Sequence, residues 1–353
     1  MTPRDIYRLA RNEVSMRRRA LLSTLGVTVL AGCTANDSVG NTGDRTASST
    51  DSLEPATAPA TATPDATDVG VSPAEAAGPP WDDDVKRVVS WADVTESTPI
   101  ALRPPTQQAS LPGATFEFTL ANDTDVRFET NFYGWSVWKQ VDEAWFHVAP
   151  TAWPVPLMTL ESGESHTWTV TVDNSELHRD IMWVEGTEDL SLAGLGGGTY
   201  AFTIDGWFAS QDYDQSLGFA SQFVLDGDPV ELVPTNEVTG TTREGDTVVV
   251  ETSHGAGDDS RRAAFVVERL GDESVESQES DVRRLITEQA LRDRELRNTL
   301  PFFEEGVETV RLEEQNSSWP IFGLDEPRVI EYEGVQYRLS AEELSASAAQ
   351  TDQ

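Results

Sequence analysis

Alternation of apolar and polar residues most constrains the fold of this chain, because it recurs in short runs throughout residues 81–235. In the stretch Thr-Phe-Glu-Phe-Thr-Leu at 115–120, every second side chain is apolar, as in a strand with one buried face. Gly, Pro and Asp separate the runs, and Asp142-Glu143 predicts a tight hairpin turn. The spacing predicts an antiparallel β-sandwich. The predicted strands are 85–91, 115–120, 133–141, 145–148, 166–172, 199–204 and 219–225.

The order of these segments also resembles a known type of domain. The relevant motifs are Leu-Ala-Asn-Asp-Thr at 120–124, the strand 133–139 leading to Trp145-Phe146, Leu-Glu-Ser-Gly-Glu-Ser at 160–165 and Gly-Thr-Tyr-Ala-Phe at 198–202. They resemble the immunoglobulin-like domains of bacterial and archaeal lipoproteins, and are similar to the intracellular proteinase-inhibitor type of sandwich. The resemblance covers about residues 110–210 and implies an immunoglobulin-like fold and a surface setting, but no activity. A longer insert at 174–197 departs from the family pattern.

Residues 240–345 carry a different pattern and predict a small α+β domain. The segments 247–251, 263–268 and 307–313 are strand-like, and 329–339 predicts a hairpin across Glu333-Gly334. Between them, apolar residues recur at near-helical spacing after Asp281, a candidate N-cap, and Pro301 would end that helix. We attach no function to this domain from its sequence.

Residues 1–33 predict an export signal. Arg18 and Arg19 precede an apolar run that is too short for a stable membrane span, and the Arg-Arg pair resembles a twin-arginine (Tat) signal for export of folded proteins. The run closes on Leu-Ala-Gly-Cys, which resembles the lipobox of prokaryotic lipoproteins and implies lipidation of Cys33. Cys33 is the only cysteine, so an internal disulfide is impossible. Met1 and Met16 are both acceptable starts.

Residues 34–80 are rich in Thr, Ala, Ser, Pro and Asp and almost lack large apolar side chains. Such a segment cannot bury enough surface to offset its ordering entropy, so we predict a disordered stalk. Its Thr- and Pro-rich part resembles O-glycosylated stalks, with an unmodified linker as the alternative. Asn36, Asn122 and Asn316 each open a sequon and are candidate N-glycosylation sites in an exported chain.

The chain carries 61 acidic and 25 basic residues, a formal charge of −36, and only Lys86 and Lys139 are lysines. So acidic a chain repels itself at low ionic strength, whereas molar salt screens the repulsion. The composition resembles that of halophilic, mostly haloarchaeal, proteins. It also disfavours nucleic acid as a partner, because phosphate would be repelled.

The sequence offers no catalytic set, no metal site and no cofactor motif. His147, His166, His178 and His254 lack metal-ligand spacing, and the alternative is that His147 and His166 meet as a pair across strands. The glycine-rich segment 194–198 precedes a strand and is interpreted as a flexible turn. Trp135 and Trp138 are three apart in a predicted strand and should lie on opposite faces. One of them should therefore be exposed, as a candidate aromatic binding face.

These features predict a non-enzymatic binding or interaction module. The lipid on Cys33 would hold it at the extracellular face of the cell membrane, and its partner would be an envelope protein or glycan. A protease-inhibitor or accessory envelope role is the alternative suggested by fold analogy. A third hypothesis is an envelope glycan hydrolase whose catalytic groups are carboxylates scattered along the sequence.

Overall fold

The computed structural model describes residues 69–103, 107–181, 184, 186–255, 260–271 and 282–344, all within one compact unit, Asp65–Gln353. The predictions for the signal, for Arg18, Arg19, Cys33 and Asn36, and for residues 34–68 of the stalk lie outside the described residues. Within the described ranges, no helix is both long and apolar enough to cross a membrane.

The first part of the described chain consists of two sheets packed face to face, which we call the sandwich. Its strands are β1 Val85–Ser90, β2 Ile100–Arg103, β3 Gln108–Ser110, β4 Gly113–Asn122, β5 Phe128–Thr130, β6 Ser136–Val141, β7 Ala144–Ala149, β8 Met158–Leu160, β9 Ser165–Asp173, β10 Asp189–Leu192, β11 Gly198–Phe208 and β12 Ser216–Asp226. The larger sheet runs β1-β12-β11-β5-β8, with β3 beside β12 and with β6 and β7 beside β11. The smaller sheet runs β10-β9-β4-β2.

Aromatic side chains from the two sheets meet in one core. Burial alternates along β4, so Phe116 and Phe118 point inward. Phe118 stacks on Phe202 of β11 at 4.5 Å between ring centroids, and Phe116 lies 4.7 Å from Phe223 of β12. Burial of such large apolar rings is the main source of stability in a sandwich of this kind.

The structure confirms the mainly β fold, and each of the seven predicted runs forms a strand. Most pairings in the sandwich are antiparallel, and the turn Asp142-Glu143 joins β6 to β7. Three pairings are parallel, between β1 and β12, β3 and β12, and β9 and β10. β10 lies in the insert 174–197 and joins the edge of the smaller sheet. Strands β2, β3, β5, β8 and β10 are only three or four residues long and were not predicted.

Residues 69–80 differ from the prediction, which assigned them to the disordered stalk. Val71 forms an antiparallel bridge with Val88 of β1, and its amide and carbonyl both bond that residue. The Arg87 guanidinium also donates to the carbonyl of Gly70. Backbone pairing to an existing strand thus orders a segment that has few apolar side chains of its own.

The second part is a seven-stranded mixed sheet, here called the C-terminal sheet. Its strands are β13 Val238–Glu244, β14 Thr247–Thr252, β15 Arg261–Arg269, β16 Arg283–Leu285, β17 Thr309–Asn316, β18 Arg328–Tyr332 and β19 Val335–Glu343. Their order is β13-β14-β17-β15-β19-β18-β16. A separate apolar core lies on this sheet and includes Val267, Leu296 and Leu312. The predicted hairpin across Glu333-Gly334 is confirmed.

The single helix predicted after Asp281 is wrong. Asp281 itself lies outside the described residues, and Arg283–Leu285 forms a strand instead. Two one-turn helices follow, α1 Thr287–Ala290 and α2 Arg294–Arg297, and a 3-10 turn spans Leu300–Phe302. Asp293 interrupts the helical run because its side chain accepts a hydrogen bond from Leu296 N and caps α2. Leu285, Ile286, Leu296 and Leu300, which recur at helical spacing, are nevertheless buried.

Candidate functional site

The most developed polar site lies where β6, the glycine-rich segment 194–198 and α1 meet. Lys139 of β6 points to the same side as the buried Val137 because strand side chains alternate. Its side chain is 11% exposed and pairs with Glu288 of α1, whose side chain is 3% exposed. This buried ion pair joins the sandwich to the C-terminal part.

One oxygen of Glu288 receives three hydrogen bonds. Oε1 accepts from Lys139 Nζ, from Gly196 N at 3.1 Å and from the Tyr200 hydroxyl at 3.2 Å. The Tyr200 hydroxyl is also 2.7 Å from the Gly196 carbonyl oxygen. Burial and the Glu288 carboxylate raise the pKa of Tyr200 well above its ordinary value, which keeps the phenol protonated as a donor. A buried carboxylate that binds three donors is well suited to hold elements together.

Arg292, in the turn between α1 and α2, adds a second cation beside this carboxylate. Its guanidinium donates to the carbonyl oxygens of Ala193 at 2.5 Å, Gly194 at 3.2 Å and Glu288 at 2.7 Å. Burial lowers the pKa of Arg292 to about 10, so it stays charged at neutral pH. We call Lys139, Tyr200, Glu288, Arg292 and the segment 194–198 the junction cluster.

The glycine-rich segment was interpreted as a flexible turn, and this interpretation is wrong. A Cβ on Gly197 would lie 2.0 Å from the carbonyl oxygen of Gly227, and one on Gly196 would lie 2.4 Å from Val230 N. These glycines therefore allow close backbone approach in a packed region.

A cleft of about 340 Å³ opens beside the junction cluster. It is lined by Lys139 and Val141 of β6, by residues 284–288 and by the turn 331–334. The lining is partly apolar, with Val141 and residues 285–286. It is also partly charged, with the Lys139–Glu288 pair, Arg284 and Glu331. Its volume is at the lower end of the range for ligand pockets, roughly 300–1,000 Å³. Such pockets often occur at interfaces between folded parts. We call it the junction cleft.

Further contacts fasten the two parts together around the cleft. Gln289 donates to the carbonyl of His147 at 2.9 Å, and Arg284 pairs with Asp142 of the β6–β7 turn at 3.0 Å. On another side, the buried Arg297 donates to the carbonyls of Val233 and Arg179. Such contacts hold the cleft in one shape.

A second charge network lies on the C-terminal sheet. Arg294 makes two 2.7 Å bonds to Glu314, whose side chain is fully buried, and it also contacts Glu295 and Glu237. Glu237 in turn lies 3.1 Å from His254 Nδ1. The bidentate Arg–carboxylate geometry is suited to fixing orientation.

The predicted aromatic binding face at Trp135 and Trp138 does not form. Trp135 is 1% exposed, sits in the sandwich core and donates to the carbonyl of Gly186 at 3.0 Å. Trp138 does lie on the opposite side, but it is half-buried, bonds Thr203 Oγ1 and packs on His147. The prediction that the two rings lie on opposite sides is confirmed. The Trp138 ring is partly covered by His147 of the neighbouring strand β7.

The histidines considered as a pair are held apart. His147 lies on β7 in the larger sheet, whereas His166 lies on β9 in the smaller sheet and stacks on Phe132 at 3.9 Å. Burial, helped by Arg292 and Arg283, lowers the pKa of His147 to about 3. Across the ranges that the structure describes, no three or more His, Cys, Asp or Glu side chains are grouped as metal ligands.

Two of the candidate glycosylation sites, Asn122 and Asn316, are buried in the folded protein. Asn122 is 0% exposed, and its amide donates to the carbonyls of Val126, Leu160 and Glu161. Its oxygen accepts from Thr124, so this sequon closes a turn in the sandwich. Asn316 is also buried, and its oxygen accepts from Ser318.

Sequence reasoning missed the junction cluster, although one signal was present. Lys139 is one of two lysines in the chain and shares a strand face with Val137, so the period of two already placed an ammonium toward the core. No comparable signal marks Glu288, because its partner is 149 residues away and its segment was assigned to one long helix.

No protein-family model matches the chain, and no curated protein matches it. Among solved structures, it is similar to the Escherichia coli chaperone DraB, with 16% sequence identity and a TM-score of 0.20. The match covers 42% of this chain and 66% of the chaperone's, slightly under two thirds of its length.

Proposed function

We propose that the protein is a lipoprotein, anchored through Cys33 at the extracellular face of the cell membrane, that binds an envelope partner without catalysing a reaction. The observation that supports binding is the junction cleft. The buried Lys139–Glu288 pair is part of its lining, and the contacts Gln289 to His147 and Arg284 to Asp142 join the two parts of the chain beside it. A preformed concave site binds with less ordering cost than a flexible surface.

Anchoring and export rest on the N-terminal sequence. Cys33 ends an apolar run after Arg18 and Arg19, as in twin-arginine lipoprotein signals. The acidic surface suits a salt-rich exterior.

The first experiment compares membrane fractionation of cells that carry the native chain with cells that carry Cys33→Ser. Native protein in the membrane fraction and Cys33→Ser in the soluble fraction supports the anchor. Retention of both forms in the membrane contradicts lipidation at Cys33. Release of both contradicts a membrane anchor.

The second experiment tests the cleft by crosslinking cells in high salt before pull-down. Val141→Arg places a long cation in the cleft, and Val155→Arg introduces the same residue at an exposed position outside it. A reproducible envelope protein or glycan captured by the native chain and Val155→Arg, and lost with Val141→Arg, supports the proposal. Equal capture by both variants, or none by the native chain, contradicts it. Circular dichroism checks that both variants fold.

A further inference from the structure

A second surface, outside the junction cluster, is built around Trp319. This side chain is 83% exposed, and among the described residues the only other exposed large apolar side chains are Val155 and Leu157 in the loop before β8. Trp319 therefore stands as a single ring in polar surroundings, without a broad apolar patch around it.

The loop that carries Trp319 is held in place. Asn316 Oδ1 accepts hydrogen bonds from Ser318 N at 3.0 Å and Ser318 Oγ at 2.6 Å. Arg261 donates to the Ser318 carbonyl at 2.8 Å, and its guanidinium lies 5.1 Å from the centre of the Trp319 ring. Phe322 adopts a φ of +51°, which is strained for an aromatic residue. The polar contacts thus fix the loop beneath an indole ring that lies in solvent.

Hydrogen-bonding side chains lie at the same end of the C-terminal sheet. Arg261 of β15 pairs with Asn316 of β17 at this end, and Ser260 Oγ lies 3.4 Å from Gln315 Oε1. The loop of His254 and Gly255 is adjacent, since a Cβ on Gly255 would lie 1.9 Å from the Gln315 carbonyl oxygen. Hydroxyl, amide and guanidinium groups of Ser260, Gln315 and Arg261 therefore lie at the base of the loop.

We propose that this end of the C-terminal sheet is a carbohydrate-binding site in which a pyranose ring stacks on Trp319. A pyranose has an apolar C–H face and a rim of hydroxyl groups, which match an aromatic ring beside polar donors and acceptors. A protein partner would need a surface of roughly 1,000 Å² or more with an apolar centre. A cationic ligand would be repelled by Arg261, which already interacts with the ring.

The test measures direct binding of two sugars in molar salt, the neutral N-acetylglucosamine hexamer and the acidic hyaluronan hexamer. Saturation-transfer NMR should show contact between the protein and the ring C–H protons of at least one of them. Trp319→Ala should weaken that binding about tenfold or more, while Trp319→Phe keeps part of it. Leu157→Ala, which removes an exposed apolar side chain elsewhere, should bind like the native chain.

Absence of transfer to both sugars, or unchanged binding by Trp319→Ala, would overturn the proposal. Trp319-dependent binding to phosphatidylcholine vesicles in place of the sugars would also overturn it and assign the ring to a lipid surface. Circular dichroism of each variant excludes unfolding as the cause. Because the site does not involve Cys33 or the cleft, its failure would leave the anchored-binding proposal to its own two experiments.

Discussion

Lys139 on β6 and Glu288 on α1 form a buried ion pair although 149 residues separate them in the sequence. Each charge has been withdrawn from water, and each is compensated mainly by the other and by the donors around Glu288. Removing the lysine alone leaves a buried carboxylate with less compensation, whereas removing both charges takes this cost away and leaves Arg292 with its backbone acceptors.

We expect Lys139→Met to lower the free energy of unfolding by about 3–5 kcal/mol. The double variant Lys139→Met, Glu288→Gln should recover part of that loss, because it removes the unpaired carboxylate charge while an amide oxygen still accepts from Gly196 N and Tyr200. Denaturant unfolding measures both. Arg262→Ala is the control, since the Arg262–Glu313 pair is largely exposed at the arginine and should contribute about 1 kcal/mol or less. A Lys139→Met variant as stable as this control would contradict a structural role for the pair.

Gly197→Ala tests the packing of the glycine-rich segment. The added methyl group would lie 2.0 Å from the Gly227 carbonyl oxygen, so the backbone must shift, and we expect a loss of at least about 3 kcal/mol. Gly271→Ala is the matched control, because a Cβ there meets nothing within 4 Å. It should change stability by about 1 kcal/mol or less. Similar melting temperatures for the two variants would show that the segment yields easily.

His147 should make stability depend on pH in the acid range. Its pKa falls from 6.5 to about 3 on folding, so the folded state disfavours its protonation. Its contribution is therefore fully present above about pH 6.5 and is lost as the pH falls toward 3. His147→Gln should flatten this part of the curve of melting temperature against pH. An imidazole NMR titration midpoint of His147 between pH 6 and 7 would contradict the prediction.

Asn122 should carry no glycan in the folded protein, because its amide is fully buried and bonds three carbonyl oxygens. Peptide mass spectrometry of protein purified from its host checks the occupancy. Asn122→Ala should destabilise the sandwich by roughly 1–3 kcal/mol, since it removes three hydrogen bonds made by a buried amide. A glycan found on Asn122 would mean that modification precedes folding.

The chain's charge of −36 predicts that the folded part unfolds below about 1 M salt. At lower salt the repulsion between its carboxylates is screened less strongly. Far-ultraviolet circular dichroism during dilution from high salt measures this. A non-ionic osmolyte at matched water activity serves as the control, because it does not screen charge. A spectrum that stays unchanged in dilute buffer would remove the halophilic interpretation.

Alternation predicted the longer strands well, because a strand such as β4 repeats its pattern for ten residues. Strands of three residues, such as β5 and β8, hold too few repeats for any period to appear. The prediction of a single helix after Asp281 was wrong for another reason. Leu285, Ile286 and Leu296 are buried in the structure. One long helix would bury them, but so does the observed strand followed by two one-turn helices.

The site was harder to predict than the fold because its contacts are remote in sequence. Arg292 bonds Gly194 across 98 residues, and no local pattern links an arginine to a glycine-rich turn. Alternation placed Trp135 and Trp138 on opposite sides, but the contacts that partly cover the Trp138 ring depend on packing that the sequence does not show. Tertiary context decides such positions.

The junction cluster also bears on how a chain of this kind can be inherited. A recombined gene that joined β1–β12 to a foreign C-terminal half would leave the Lys139 ammonium buried in the sandwich without the Glu288 carboxylate. The reciprocal product would carry Glu288 and Arg292 without the backbone groups that they bind. Both chimaeras would spend more time unfolded and be degraded faster than the parent. We therefore expect descendants to keep the two halves together, with substitutions at position 139 accompanied by substitutions at position 288.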